Sequence, residues 1–576
     1  MTSKPLGRRR FLSSTLSSAA AVSVLTRADK HSSQIADNSF LGLLRRPERV
    51  TAFNGDNSIE LQRTGESWFE DGIHVKTDPS DTTKLNVTLS APKRGVSRLH
   101  LRWQVKIPTG FRLLGDHWER GYGDLEWRSL VAERVLPWYF IANNGRLTHG
   151  YGVQTSPNAM AFWRVDQGGV SLWLDVRNGG SPVLLGDRTL SVCTVVARRG
   201  REGETPWQAV RALCALMCPN PRMPESPIYG GNNWYYAYGE NCSAKAIERD
   251  ASLLADLADS AANRPFQVID DGWQLASAGR GCCSGGPWRY GNVGFPDMPG
   301  LAARLKAIGI RPGIWMRPLL THERGTEGWM LKRPQAPGRE GHLLDPTIPE
   351  VRERIKGDVA GLVRWGYELI KHDFSTYDLF GRWGFSMSGS LNDDGWSFYD
   401  RSRTTAEIVR DLYQTIREGA GEQSVVIGCN SIGHLAAGLF ELQRTGDDTS
   451  GHAWERTRRM GVNTLAFRGT QHEKFFAADA DCVGLTNAVP WTLNKQWLDL
   501  LSRSGAPLFV SAAPDAIGTE QKKALREAFA RARVVQSVAE PLDWLETTTP
   551  QRWRLGGDTV TYDWYGAQGI AEADPK

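Results

Sequence analysis

Apolar and polar residues alternate with a period of two over most of residues 39–196. Successive side chains of a strand point to opposite faces, so this pattern predicts strands with one buried and one solvated face. Turns rich in Gly, Asn, Asp and Pro separate the segments, as is typical of antiparallel connections. The alternation therefore predicts a large antiparallel β-sandwich. The clearest strands are 85–89, 99–105, 170–176 and 190–196.

A predicted helix (206–217) and a proline-rich linker (218–224) end this region. Short apolar runs then alternate with segments whose apolar residues recur at helical spacing. Eight strands with intervening helices over about 280 residues predict a (β/α)8 barrel of the TIM type. A doubly wound sheet is the alternative, but no Gly-rich phosphate loop marks one. The predicted strands are 228–232, 266–269, 311–316, 368–371, 424–427, 440–443, 474–476 and 507–510, and the predicted helices are 244–257, 299–308, 349–365, 404–418 and 492–504.

The last part of the chain opens with a predicted helix (521–532) and continues in short alternating segments. These segments favour a small β-domain. We therefore divide the chain into an N-terminal signal segment (1–35), a β-sandwich domain (36–218), a catalytic barrel (225–515) and a C-terminal β-domain (516–576).

Residues 7–13 read Gly-Arg-Arg-Arg-Phe-Leu-Ser and precede a mildly apolar run. This pattern is similar to a twin-arginine signal peptide, which directs export of folded proteins. We expect an exported protein, located in a bacterial periplasm; a disordered basic tail is the alternative. No other apolar run approaches the roughly 18 residues that a membrane-spanning helix needs, so no span is predicted.

The net charge of +5 comes from the N-terminus, where residues 1–30 hold six basic residues and one acidic residue. The other 63 basic and 63 acidic residues balance, so the charge gives no reason to expect nucleic acid as a partner. The eight cysteines have no paired metal-ligand spacing, so we predict no metal site. The 22 tryptophans suit stacking on sugar rings, although most tryptophans fill cores.

Acidic residues follow three of the predicted barrel strands. Asp270 and Asp271 end the second strand, Asp373 ends the fourth, and Asp447 and Asp448 follow the sixth. The carboxyl ends of barrel strands meet at one face, where barrel enzymes have their active sites. Two carboxyl groups at such a site are the groups that cleave glycosidic bonds. Taken alone, Asp373 is equally well explained as the cap of a turn, and Asp447 and Asp448 are better explained as an ordinary turn before a helix.

Lys371 lies two residues before Asp373. A nearby cation favours the ionised carboxylate, which suits a nucleophile. Two tryptophans, Trp273 and Trp315, lie at the ends of the second and third strands, where an indole ring can lie against a sugar.

Several motifs resemble those of glycoside hydrolase family 36 and its clan D relatives, the α-galactosidases and raffinose-synthase-like proteins. Residues 268–274 (Val-Ile-Asp-Asp-Gly-Trp-Gln) are similar to the strand-two signature, and residues 371–373 (Lys-His-Asp) to the Lys-x-Asp nucleophile motif. Residues 444–448 (Arg-Thr-Gly-Asp-Asp) resemble the Arg-x-x-x-Asp acid/base motif, which selects Asp448 over Asp447. The loop 428–433 is similar to the Cys-containing strand-five loop and brings in Cys429, and residues 479–482 resemble the acidic strand-seven segment. The loop 428–433 lacks the usual Gly run, and residues 375–385 differ from the common version, which leaves the sugar pocket open.

The resemblance implies a retaining glycoside hydrolase that cleaves terminal α-linked sugars, with α-galactosides as the first expectation. Asp373 would attack the anomeric carbon. Asp448 would protonate the departing oxygen and then deprotonate water. A retaining mechanism needs its two carboxyl groups about 5–5.5 Å apart, and an inverting one needs about 6.5–9.5 Å. Among the remaining residues, Arg444 would hold the 2-hydroxyl, Asp270, Asp271 and Lys371 would bind the hydroxyls at positions 3, 4 and 6, Trp273 and Trp315 would shape the ring pocket, and Cys429 would line it.

Three alternatives stay open at the level of sequence. The same machinery would serve an α-N-acetylgalactosaminidase or another α-glycosidase of the clan. It would also serve a raffinose-synthase-like transglycosylase. A carbohydrate-binding protein without catalysis is the third. In each case the expected partner is an oligosaccharide or a glycoconjugate; the hydrolytic chemistry requires no metal or organic cofactor, and the sequence does not determine the oligomeric state.

Overall fold

A computed structural model describes residues 46–566 apart from residues 82, 108–109, 241, 278–282 and 335–340. The predicted signal segment (1–35) therefore lies outside the described residues.

The N-terminal region contains two antiparallel sheets, of six and nine strands. The four clearest predicted strands are confirmed as Lys84–Ser90, Arg98–Gln104, Gly169–Asp175 and Leu190–Arg198. In spatial order the six-stranded sheet contains Leu136–Pro137, Met160–Asp166, Gly169–Asp175, Arg98–Gln104, Arg49–Asn54 and Asn57–Glu60. The nine-stranded sheet contains Gln62–Thr64, Ser67–Glu70, Ile73–Asp81, Lys84–Ser90, Leu190–Arg198, Thr148–Val153, Tyr139–Asn143, Arg112–Gly115 and Arg128–Ser129.

Buried rows of every second residue explain why these segments form sheets. Leu85, Val87 and Leu89 are fully buried along one strand, while the residues between them are partly exposed. Each buried side chain of this size stabilises the fold by about 1.5–3 kcal/mol relative to an exposed one. The two sheets meet through aromatic rings: Phe140 of the nine-stranded sheet lies edge-on to Trp163 of the six-stranded sheet, with centroids 5.5 Å apart.

The helix Pro206–Met217 leads into a parallel, barrel-like sheet. Its edge strands, Ala477–Asp479 and Cys482–Leu485, are consecutive in the chain and separated only by residues 480–481. The two edges of the sheet therefore lie side by side. In spatial order the strands are Ala477–Asp479, Leu442–Arg444, Val425–Gly428, Leu369–His372, Arg311–Met316, Phe266–Ile269, Tyr229–Asn232, Leu508–Ala512 and Cys482–Leu485.

Seven of the eight predicted parallel strands are confirmed within two residues at each end. The prediction of a strand at 474–476 is wrong: these residues form a turn that follows a 3-10 helix, and the strand begins at Ala477. The aromatic pair Phe475 and Phe476 suggested a strand because both rings are apolar, but they pack against each other and His434 from the turn.

Helices cover the parallel sheet. The five predicted ones are confirmed as Ala244–Ala258, Met298–Ala307, Pro349–Arg364, Thr405–Ala420 and Trp491–Arg503. Thr404 begins one of them with a capping box, in which its hydroxyl accepts from the backbone of Glu407 and the Glu407 carboxylate accepts from the Thr404 backbone. Shorter helices at Trp234–Ala237, Ser375–Phe380, Gly433–Ala436, Trp454–Thr457 and Thr464–Arg468 lie near the strand ends or between longer elements.

The helix Thr519–Ala532 packs against helices Ala244–Ala258 and Trp491–Arg503. Its Phe529 ring lies edge-on to Tyr229 of the parallel sheet, 5.2 Å away. This helix therefore belongs to the layer around the parallel sheet, although the sequence division assigned it to the C-terminal β-domain. The strands Glu540–Pro541, Arg552–Leu555 and Asp558–Thr561 form a small antiparallel sheet, as the alternating pattern predicted.

Within the described part of the chain, no helix combines the length and apolarity that crossing a bilayer requires. The seven cysteines in that part are all free thiols.

Candidate active site

The carboxyl ends of the parallel strands surround one open cleft of about 330 Å³. The two predicted catalytic aspartates, Asp373 and Asp448, both line it. The tertiary structure thus brings together two carboxyl groups that the sequence separates by about seventy-five positions. The other lining residues are Arg120, Trp234, Asp270, Asp271, Cys283, Trp315, Lys371, Phe374, Trp383, Phe385, Asp447 and Arg456.

Asp373 follows the strand Leu369–His372 and is held by three N–H donors. The indole Nε1 of Trp315 donates to its Oδ2 at 3.1 Å. The backbone N–H groups of Phe374 and Asn430 donate to its Oδ1 at 2.7 and 3.1 Å. Donors to a carboxylate stabilise its ionised form and fix its direction, which is what a nucleophile requires.

The residue after Asp373 has an unusual backbone. Phe374 lies in the left-handed region, at φ 63°, which costs a non-glycine residue free energy unless the surroundings hold it there. The guanidinium of Arg317 lies 4.2 Å from the centroid of the Phe374 ring. Arg317 is itself fixed by two hydrogen bonds to Asp378 and by one to the carbonyl of Cys283. This contact network holds the turn that aims Asp373 into the cleft.

Lys371 and Asp270 form a buried ion pair at the base of the cleft. The Lys371 Nζ donates to Asp270 Oδ2 at 2.6 Å, and Asn232 Nδ2 donates to the same oxygen at 2.5 Å. Burial lowers the pKa of Lys371, but the acidic groups around it, Asp270 first among them, together outweigh burial and raise that pKa well above its ordinary value. The pair therefore presents a fixed cation and a fixed anion beside Asp373.

Asp271 is anchored on the other side of the strand end. Gln274 Nε2 donates to its Oδ1 at 2.6 Å, and the backbone N–H of Cys283 donates to its Oδ2. Asp271 is 2 % exposed and yet lines the cleft. Buried carboxylates with fixed orientation are suited to accept hydrogen bonds from sugar hydroxyls.

Arg444 connects the candidate acid/base to the rest of the site. Its Nη2 lies 3.2 Å from Asp448 Oδ1 and 2.8 Å from Asp481 Oδ2. Its Nη1 donates to the hydroxyl of Tyr235 at 3.3 Å, and that hydroxyl donates to Asp448 Oδ1 at 3.3 Å. Arg444 is 1 % exposed, so its contacts are desolvated and hold Asp448 in place.

The ionisation of Asp448 follows from its neighbours. Burial by itself raises the pKa of this carboxyl, but the positive charges of Arg444, Arg120, Lys371 and Arg456 outweigh burial and hold it well below its usual range. Asp448 is therefore ionised in the free protein at neutral pH. A general acid must carry a proton when the bond breaks, so Asp448 would have to gain a proton before it could act in that role.

The acidic segment after strand Ala477–Asp479 supports Arg444 from below. Asp481, with φ 72°, accepts from the backbone and the hydroxyl of Thr449, the residue after Asp448. Burial raises the pKa of Asp479 to about 6, an effect that Arg444 opposes and Asp481 reinforces. The resemblance of this segment to an acidic strand-seven motif thus corresponds to a layer that positions Arg444 and Asp448.

Three predicted site residues, Trp273, Cys429 and Arg444, lie behind the cleft instead of lining it. Trp273 is 0 % exposed and donates from its indole to the backbone oxygen of Trp315 at 2.9 Å. Cys429 is buried, and its Sγ accepts from Arg444 Nη1 at 3.4 Å. Trp273 therefore supports Trp315, which lines the cleft, and Cys429 contacts Arg444, which in turn contacts the cleft residue Asp448.

An arm of the N-terminal sheets (residues 116–123) also contributes to the cleft and was not predicted from the sequence; nor were the lining residues Trp234, Cys283, Trp383, Phe385 and Arg456. The arm places Arg120 in the cleft and Glu119 behind it. Arg120 Nη2 lies 2.7 Å from Asp447 Oδ1. The signal that could have revealed the arm is its density of charged and aromatic residues, Asp-His-Trp-Glu-Arg-Gly-Tyr-Gly, in a region otherwise patterned as strands.

The mouth of the cleft is aromatic. Trp383 stacks on Tyr377 with centroids 4.5 Å apart, and Phe385 is 61 % exposed beside the Tyr122 ring of the arm. An exposed aromatic ring next to a polar cleft is a surface on which a sugar or an aryl group stacks. In the part of the chain that the structure describes, no group of three or more His, Cys, Asp or Glu side chains is arranged to hold a metal ion.

No family model matches this sequence. The fold is similar to that of the α-galactosidase TtGalA from Thermus thermophilus in complex with p-nitrophenyl α-D-galactopyranoside, with a TM-score of 0.57 at 18% identity over 89% of this chain and 99% of the other. The fold is also similar to that of the GH36 α-galactosidase AgaB from Geobacillus stearothermophilus, with a TM-score of 0.55 at 15% identity over 84% of this chain and 72% of the other. A GH31 family sulfoquinovosidase from E. rectale has a similar fold as well, with a TM-score of 0.57 at 13% identity over 91% of this chain and 88% of the other. The likeness shows a shared fold, which includes both the β-rich N-terminal region and the parallel sheet.

Proposed function

We propose that this protein is an exported, retaining glycoside hydrolase that cleaves terminal α-linked sugars, with α-galactosides as its substrates. The observation that carries the proposal is the shared cleft: Asp373 and Asp448 line the same cavity, and each follows a strand of the parallel sheet. The fold shared with α-galactosidases supports the choice of sugar. The segment 1–35 is proposed as the twin-arginine signal.

The proposed reaction is a double displacement. With Asp448 in its protonated form, Asp373 attacks the anomeric carbon, and the glycosidic bond breaks as the proton moves from Asp448 to the departing oxygen. Asp448 then takes a proton from water, whose oxygen attacks the same carbon and releases Asp373. The three N–H donors on Asp373 hold its carboxylate in the direction needed for attack.

The remaining cleft residues are proposed to bind the sugar hydroxyls. Lys371, Asp270 and Asp271 line the base of the cleft and present one donor and two acceptor groups in fixed positions. Trp315 lines the cleft beside them. Arg444 is in contact with Asp448 and is proposed to reach the 2-hydroxyl.

The proposed architecture is three-part. The two N-terminal sheets form a β-sandwich, and the strands Ala477–Asp479 and Cys482–Leu485 are the two halves of a seventh strand that closes an eight-stranded barrel. Support comes from the register, in which the first half pairs with Leu442–Arg444 and the second half pairs with Leu508–Ala512. The small sheet at 540–561 is the third part.

A panel of 4-nitrophenyl α-glycosides tests the proposal. The α-galactoside is expected to be hydrolysed faster than the α-glucoside and the α-N-acetylgalactosaminide, and Asp373→Asn is expected to lose this activity. NMR of the first sugar released is expected to show the α-anomer. Initial release of the β-anomer would contradict retention, and a preference for another glycoside would transfer the proposal to that sugar. Product analysis at high acceptor concentration separates hydrolysis from transglycosylation.

A further inference from the structure

The arm of residues 116–123 docks onto the loop that carries Asp448. The backbone N–H of Gly121 donates to the carbonyl of Thr445 at 2.7 Å, and the N–H of Asp447 donates to the carbonyl of Gly121 at 2.9 Å. The arm thus forms a short parallel bridge with residue Gly446. Its side chains are placed by backbone hydrogen bonds to the two residues on either side of Gly446.

Arg120 projects from this bridge between the two acidic side chains. Its Nη2 lies 2.7 Å from Asp447 Oδ1, and its Nη1 lies 3.9 Å from Asp448 Oδ1. The guanidinium lies 5.3 Å from the ring centroid of Trp383, and the residue is 5 % exposed. A guanidinium buried in this way is stable only where it is paired, so its position is fixed by the carboxylates that it contacts.

Glu119 ties the same arm to the loop beside Asp373. Its Oε1 accepts from the backbone N–H of Gly384 at 2.8 Å, and its Oε2 accepts from the side-chain amide of Asn430. The backbone N–H of Asn430 donates to Asp373 Oδ1. The arm is therefore in contact with the supports of both catalytic carboxyl groups.

We propose that Arg120 is a positioning residue for Asp448, supplied by the N-terminal sheets, so that the catalytic centre is complete only when those sheets are docked. This inference rests on the proposed function, because it assigns Asp448 the role of acid and base. Arg120 and Arg444 contact the same carboxylate oxygen from different parts of the chain. Together they fix the orientation from which Asp448 delivers its proton.

A loss of this contact has two measurable consequences. The first concerns the leaving group: a good one departs without much help, whereas a poor one depends on the acid. The second concerns pH. The groups facing Asp448 are the cations Arg444, Arg120, Lys371 and Arg456, the hydroxyl of Tyr235, and the neighbouring carboxylates of Asp447 and Asp481. Removing one cation from this set raises the pKa of Asp448, so the alkaline limb of the rate profile moves to higher pH.

The test compares Arg120→Gln, Arg120→Lys and Asp447→Asn with the wild type and with Asp448→Ala. Arg94→Gln is the matched control, since Arg94 is an exposed arginine of the same region that pairs with Asp71. Each protein is assayed on a 4-nitrophenyl and on a methyl α-glycoside of the sugar that the wild type prefers. For Arg120→Gln we expect kcat/KM to fall about 10–100-fold on the methyl glycoside and no more than about threefold on the nitrophenyl glycoside. The loss on the methyl glycoside would be part of the rate enhancement that general acid catalysis provides.

Arg120→Lys is expected to recover part of the loss, and Asp447→Asn to show the same leaving-group dependence because it frees Arg120 from its pair. Equal losses on both substrates, or no shift of the alkaline limb in a folded Arg120→Gln protein, would overturn the inference. If Arg120→Gln does not fold, Asp447→Asn and Arg120→Lys decide by the same criterion. A wild type that hydrolyses no α-glycoside refutes the proposed function itself, a result distinct from an active wild type whose Arg120 variants behave like Arg94→Gln.

Discussion

At the scale of single residues, the two aspartates of the site differ in the groups that surround their carboxylates. Asp373 is surrounded by N–H donors and one buried lysine nearby, whereas Asp448 is surrounded by arginines and a tyrosine hydroxyl. Donors that remain in place throughout the reaction favour a group that stays ionised until it forms a bond. The arginines around Asp448 contact it more loosely, at 3.2 and 3.9 Å, which suits a group that gains and loses a proton.

The indole of Trp315 provides the first residue-scale prediction. Trp315→Phe keeps the aromatic ring but removes the N–H that donates to Asp373 Oδ2. A hydrogen bond to a charged group is worth about 1.5–3 kcal/mol, so kcat is expected to fall about 10–100-fold in steady-state assays. Trp497→Phe is the control, because Trp497 is equally buried but donates to the backbone oxygen of Cys482. Equal rates for the two variants would show that the Trp315 contact does not support the nucleophile.

The ionisation of Asp448 provides the second residue-scale prediction. Its pKa is held below the usual range, mainly by Arg444 and Arg120 against the effect of burial. Asp448 is therefore ionised in the free protein at neutral pH, and it is protonated more often as the pH falls. We expect kcat/KM on methyl α-glycosides to increase from about pH 8 to about pH 5, and the increase to be smaller on activated aryl glycosides. A profile that rises toward alkaline pH would contradict the assignment of Asp448 as the acid.

At the scale of elements, two glycines on packed helices have opposite surroundings. Gly357, on helix Pro349–Arg364, is exposed, and a Cβ added there would meet nothing within 4 Å. Gly419, on helix Thr405–Ala420, faces the first helix, and a Cβ there would lie 2.7 Å from the carbonyl of Lys356 and 2.8 Å from Val359 Cβ. The two helices can approach closely only because Gly419 has no side chain.

This contrast gives a paired prediction. Gly357→Ala is expected to raise the free energy of unfolding by about 0.4–1 kcal/mol, since alanine has the higher helix propensity and restricts the unfolded chain. Gly419→Ala is expected to lower it by about 1–3 kcal/mol, because the helices must separate. Chemical denaturation of both variants measures the difference. If Gly419→Ala proved as stable as the wild type, the close approach of the two helices would be wrong.

At the scale of the whole molecule, three buried histidines link stability to pH. Burial lowers the pKa of His372 and of His434 from the ordinary 6.5 to about 4, and that of His472 to about 3. Neither ring nitrogen of His372 has a hydrogen-bond partner among the residues that the structure describes. The Nδ1 of His472 accepts from the backbone N–H of Ala478 at 3.1 Å, which requires this nitrogen to be unprotonated.

The sign of the effect follows from these directions. Below about pH 6.5 the unfolded chain binds protons that the folded protein does not, so stability is complete above that pH and decreases as the pH falls toward 4. Once the pH has fallen below the folded-state pKa, each histidine has lowered the free energy of unfolding by on the order of 3 kcal/mol. Denaturant midpoints are therefore expected to fall steeply between pH 7 and pH 5. In His472→Gln, the glutamine amide oxygen can accept from Ala478, and the denaturant midpoint is expected to fall less over this pH range. Identical pH dependence of the midpoint in variant and wild type would refute the role of His472.

Much of this molecule could be predicted from local patterns. The period-two rows placed the N-terminal strands, and the motifs around Asp270, Asp373 and Asp448 placed the cleft residues at strand ends. The seventh strand was misplaced because the apolar pair Phe475 and Phe476 satisfies the pattern of a buried strand equally well from a packed turn. Local hydrophobicity indicates that a segment is buried, but burial alone does not distinguish a strand from a packed turn.

The sequence by itself determined the type and order of the elements and the carboxylates at their ends, because side-chain periodicity and the connection of strand to loop are local properties of the chain. The tertiary structure alone decided that Trp273 and Cys429 lie behind the cleft, that the helix Thr519–Ala532 joins the layer around the parallel sheet, and that Arg120 lies beside Asp448. It also decided the ionisation of Asp448, since a pKa depends on charges gathered in space from several elements. Contacts between residues hundreds of positions apart leave no periodic trace in one chain.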